Sequence, residues 1–80
     1  MTNGLKPFVV FGYASVHDAL AAESALTGGG FVSTPIPSPR ELGGLCGIAL
    51  RVDPADAQPA AHLLEGVRLS PVATIEILDR

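Results

Sequence analysis

Phe31-Val-Ser-Thr-Pro-Ile36-Pro-Ser-Pro-Arg40-Glu-Leu-Gly-Gly-Leu-Cys46-Gly-Ile-Ala-Leu50-Arg-Val52 reads as two strands joined by a loop, with no helix between them. Phe31 to Ile36 is β-branched and aromatic, and Pro35 and Pro37 push it to a sheet edge, because proline cannot donate to a central ladder. Three alternating prolines, Pro35, Pro37 and Pro39, hold the loop extended, and Gly43 and Gly44 then allow it to bend. Cys46 to Val52 follows with Ile48, Leu50 and Val52 at period two, which predicts a second strand with Cys46 at its mouth.

Outward from this pair, each side carries a helix and then a strand. Phe8 to Tyr13 is apolar at successive positions, the mark of a central strand covered on both faces. Ser15-Val16-His17-Asp18 caps a helix whose apolar stripe is Val16, Ala19, Leu20 and Leu26, and Gly28-Gly29-Gly30 ends it. Asp53-Pro54 supplies an N-cap and an N1 proline to a second helix with the stripe Ala57, Ala60, Ala61 and Leu64. Pro59 is expected to distort that helix, Gly66 to stop it, and Val72 to Leu78 to form the last strand.

The order is therefore β-α-β-β-α-β. The expected fold class is α+β, a ferredoxin-like plait with two helices on one face of an antiparallel four-stranded sheet; an open α/β sandwich of other strand order is the alternative. Right-handed crossovers place the third strand between the first and second. The end of strand one, the start of helix one and the start of strand three then share a rim, where Cys46 faces Ser15, Val16 and His17. All 80 residues are read as a single domain, with 8–78 as the ordered plait.

Composition narrows the function. A net charge of −3 with five scattered basic residues gives no cationic face for counterion release, so nucleic acid is not an expected partner. No run of about 18 apolar residues is present, so no membrane partner is expected either. One cysteine cannot form an internal disulfide, which favours a reducing compartment and a cytoplasmic location. A domain this small buries only roughly 60–65% of its unfolded surface, so self-association through the sheet, as a homodimer, is a natural supplement.

Cys46 is either a small buried hydrophobe on the face of Ile48 and Leu50 or a thiolate lowered in pKa by the start of helix one. In the second case His17 takes the thiol proton or pairs with the thiolate, Arg40 adds positive charge, and Ser15, Gly43, Gly44 and Gly47 line the thiolate's surroundings. Cys46, His17 and His62 match no zinc signature, so no metal and no cofactor are expected. Glu41 reads as solvated and Glu23 as a rim position, with a hydrogen bond back to the Arg40 loop as its alternative, and the glycine triplet ends a helix where a phosphate loop would open one.

The residues also carry a resemblance. His17, Ala19 and Glu23 in helix one, with Pro37 to Glu41 leading to Cys46 through Arg51, resemble a small bacterial family of selenium/sulfur carrier-like proteins, over about Val9 to Ile77. The resemblance implies a cysteine that carries sulfur or selenium as a persulfide or perselenide, a carrier more than a turnover enzyme, with donor and acceptor proteins as partners. Two departures are visible. Gly43, Gly44 and Leu45 stand where family members place serines and a glycine, and Thr27 and Gly28 where a lysine is usual. A non-catalytic binding or assembly plait, with the loop as contact surface and Cys46 as packing, is the competing class.

Overall fold

The computed structural model describes residues 4–43 and 47–79. Gly44, Leu45 and Cys46 lie outside the described residues. Seven elements run in the expected order: β1 (Lys6–Gly12), α1 (Val16–Gly28), β2 (Ser33–Pro37), a 3-10 turn η1 (Arg40–Leu42), β3 (Ile48–Val52), α2 (Pro54–Gly66) and β4 (Ala73–Asp79). One antiparallel sheet has the order β2-β3-β1-β4, with β3 between β1 and β2. Pro35 and Pro37 lie in the edge strand β2, where a missing donor costs nothing on the solvent side.

The fold is the α+β plait. Val9 and Phe11 of β1 and Leu50 and Val52 of β3 meet Ala19, Ala22 and Leu26 of α1 and Ala60 and Leu64 of α2 in the main core. Alternation sends Val10 and Ala49 to the opposite face, where they pack with Leu42 of η1 and with Ile36, Ile75 and Ile77. β1 is thus covered on both sides, by helices on one and by the loop after β2 on the other.

Several boundaries and one stripe differ from expectation. β3 starts at Ile48 and Gly47 is a bend, so the described strand begins two residues after Cys46. Tyr13 and Val72 lie just outside β1 and β4. On α1 the buried residues are Ala19, Ala22 and Leu26, while Val16 and Leu20 are exposed. Alanines permit close approach to the sheet, which turns the helix towards them and leaves the larger side chains at the flank. Pro59 leaves α2 unbroken from Pro54 to Gly66. Ala55, whose carbonyl loses its partner there, is exposed and can be solvated.

The caps explain where both helices begin and end. Ser15 Oγ accepts from the Asp18 amide at 3.1 Å, and Asp53 Oδ1 accepts from the Ala55 amide at 2.9 Å. At the other ends one pattern recurs. Phe31 N–H donates to Leu26 O and Leu69 N–H to Leu64 O, each at 2.8 Å, across a left-handed residue. That residue is Gly30 in α1, with φ 86°, but Arg68 in α2, with φ 61°. Phe31 and Leu69 then pack against the core, so each helix exit is tied to the interior.

Candidate functional site

The rim on which the functional residues converge is built by the sheet register. Gly12 pairs with Ala49, so the end of β1 and the start of β3 lie side by side, and the chain leaves Gly12 directly towards the Ser15 cap. Ser38 N–H donates to Gly47 O at 3.0 Å, which carries the β2–β3 ladder one step past Pro37 and Ile48. Gly47 is therefore held at this rim, with the chain from Gly43 leading into it.

The loop reaches the rim from the open side of the sheet. Leu42 is buried against Val10 and Ala49, which pins η1 to the face away from the helices. Leu42 N–H bonds Pro39 O and Gly43 N–H bonds Arg40 O, both at 3.0 Å. Gly43 turns the chain at φ 65°, a conformation that suits glycine. Arg40 is exposed, and among the described residues it forms no ion pair.

On the helix side, His17 lies in the first turn of α1 with its side chain 91% exposed, its Nδ1 3.7 Å from an Asp18 carboxylate oxygen. Ser15 Oγ accepts from the Asp18 amide with one lone pair and keeps its hydroxyl proton to donate. His17 and Arg40 thus belong to elements on opposite sides of the sheet, each beside the rim to which Gly47 belongs. His62 is exposed in the last half of α2, and Glu23 is half-buried on α1. Among the described residues no three His, Cys, Asp or Glu side chains are grouped to hold a metal ion. Cys46 and Gly44, the two site positions between Gly43 and Gly47, lie outside the described residues.

Two residues beside this rim, and one at the opposite end of the sheet, take roles that the sequence alone did not assign to them. Tyr13 is 2% exposed and its hydroxyl donates to Leu69 O at 2.6 Å, locking the end of β1 to the exit of α2. Ser38 Oγ is buried without a hydrogen-bond partner among the described residues, directly across the ladder from Gly47. Arg51 sits at the far end of the open face, 4.2 Å from the Phe8 ring and 2.9 Å from Asp79 Oδ2, where it ties β3 to β1 and β4.

Burial, and then the charge of Asp18, pushes the Tyr13 hydroxyl up from 10.0 to about 12. The unfolded chain releases this proton near pH 10 while the folded chain keeps it to about pH 12, so the contribution is complete below pH 10 and is lost between those values. Urea unfolding should show wild type losing at most about 2 kcal/mol more than Tyr13→Phe across that window. Parallel losses in the two proteins would contradict the assignment.

Comparison with known proteins bears on the same segments. A family model described as "putative Se/S carrier protein-like" matches residues 8–76, from within β1 to within β4. The chain belongs to this family. No curated protein and no solved structure matches the chain. The match to the Se/S carrier-like family takes in both helices, the loop with Arg40 and the single cysteine, so the rim and the core that builds it lie within the family's own extent. No helix among the described residues is long and apolar enough to cross a membrane.

Proposed function

We propose that the protein is a sulfur or selenium carrier whose attachment point is Cys46. The observation that carries the reading is that the family match runs through the only cysteine of the chain. The Cys46 thiolate attacks the outer sulfur of a donor persulfide. The donor's S–S bond breaks as a new S–S bond forms on Cys46, the donor departs as a thiolate, and the transferred sulfur keeps its proton. An acceptor thiolate then attacks that outer sulfur and regenerates the Cys46 thiolate. The oxidation state passes along with the sulfur, and no external oxidant enters. A selenium atom travels by the same exchange.

In this reading His17 takes the thiol proton from the helix side, and Arg40 offsets the anionic charge from the loop side. Ser15, Gly43, Gly44 and Gly47 line the transferred atom. The reading is supported by the exposure of both His17 and Arg40 and by Ser38 Oγ opposite Gly47, which has no hydrogen-bond partner among the described residues. With one cysteine the adduct has no internal resolving thiol, so unloading requires an acceptor protein and a reducing, cytoplasmic setting. The chain works as a homodimer joined through its sheet.

The test is mass spectrometry after incubation with a low-molecular-weight persulfide donor. Wild type should gain one sulfur atom, lose it to a thiol acceptor, and the gain should vanish in Cys46→Ser. A thiol that stays unmodified and alkylates slowly at every pH would overturn the carrier reading in favour of an assembly module with a packed cysteine.

A further inference from the structure

The two edges of the sheet are not alike. β2 is short, and Pro35 and Pro37 remove donors from its backbone. β4 is the other edge: seven residues, Ala73-Thr-Ile-Glu-Ile-Leu-Asp79, with no proline and paired only to β1. A strand of this kind offers an unbroken row of backbone donors and acceptors to another strand. No strand lies beyond it in the sheet. On the helix side a groove of about 500 Å³ separates α2 from β4, lined by Phe11, Ala57, Ala61 and Thr74. On the open side η1 packs across the face from Ala49 and Val10 to Ala73, Ile75 and Ile77 of β4, which obstructs flat face-to-face stacking and leaves the edge as the accessible part of the sheet.

We propose that the chain pairs with a second copy by antiparallel addition of β4 to β4, centred on Ile75, so that two four-stranded sheets become one. This makes the pairing proposed above specific to one edge. The side chains select both the occupant and the register. With Ile75 on the two-fold axis, Thr74 of each copy stands beside Glu76 of the other, hydroxyl to carboxylate, and Ala73 stands beside Ile77. Beyond the ladder, Leu78 of each copy, 68% exposed in the single chain, comes beside the segment that leads into β4 of the other, where Val72 is 61% exposed and its N–H is bonded to Gly12 O at 2.9 Å, so the pairing covers apolar surface at both of its ends.

Registers moved towards the C-terminus are worse. Centring on Glu76 sets two carboxylates directly opposite; centring on Ile77 sets Ile75 against Asp79. A shift by one residue brings the open face of one copy level with the helix face of the other, and towards the C-terminus it places Glu76 against Ile75.

Sedimentation equilibrium over a concentration series tests the proposal with the full chain. Wild type should reach the mass of two copies as concentration rises. Thr74→Glu sets like charges against Glu76 twice per dimer and should weaken association roughly tenfold or more. Adding Glu76→Lys in the same chain should restore it. Both positions are exposed, and circular dichroism of the variants should match wild type. Cys46→Ser should associate as wild type does, so the outcome is separate from that of the carrier test. A monomer at every concentration would overturn the pairing altogether. A dimer indifferent to Thr74→Glu would overturn the edge alone and place the contact on another surface.

Discussion

Phe11→Ala should lower the free energy of unfolding by about 3–5 kcal/mol, the largest effect expected from any single truncation here. The Phe11 ring is 1% exposed at the centre of the main core, on the strand that pairs with both β3 and β4. Its removal leaves a cavity that the sheet cannot close, because β1 is held from both sides by backbone ladders. A domain of this length has about 4–12 kcal/mol of stability in total, so the variant should be marginal at room temperature. Urea denaturation followed by circular dichroism measures the change, with Val32→Ala, at a side chain 78% exposed, as the near-neutral comparison. Equal midpoints for the two variants would show that the core does not centre on β1.

Leu42→Ala should have a smaller global effect, about 2 kcal/mol, and a larger local one. Leu42 is the buried residue by which η1 is fastened to the open face. Without it, the turn bonds from Leu42 to Pro39 and from Gly43 to Arg40 lose their anchor, as does the Ser38 to Gly47 rung. Hydrogen exchange should then speed up at these three amides far more than in β1 or α2. Uniform acceleration across the chain would mean that Leu42 supports the whole fold and has no special hold on the loop that leads to Cys46.

What the sequence discloses and what it hides follow from how locally each feature is encoded. Strand order, the edge position of β2 and the two N-caps rest on prolines, capping residues and crossover handedness, all legible in a few neighbouring residues. Leu42 is different. A single leucine among Pro39, Arg40, Glu41 and Gly43 has no periodicity, so nothing local says that it crosses to the far face of the sheet. The same holds for Arg51, whose partners Phe8 and Asp79 are distant in sequence. Tyr13 reads as one more strand residue until the exit of α2 is seen to bring the Leu69 carbonyl to its hydroxyl. On α1 the apolar spacing points to Val16, Ala19, Leu20 and Leu26; close packing against the sheet keeps Ala19 and Leu26, adds the small Ala22 and leaves Val16 and Leu20 exposed. The candidate site residues are individually legible by type; that His17 and Arg40 come from opposite sides of the sheet depends on the course of the loop.

The prolines of β2 have a consequence for how far assembly can go. A sheet with two receptive edges grows by the same contact at both ends and has no natural stopping point, which is the geometry of a fibre. Here Pro35 and Pro37 close one edge chemically, so the β4-to-β4 pairing proposed above would be isologous and would use up the one receptive sheet edge among the described residues. Growth by that contact would then end at two copies, in a chain with nearly half its residues apolar.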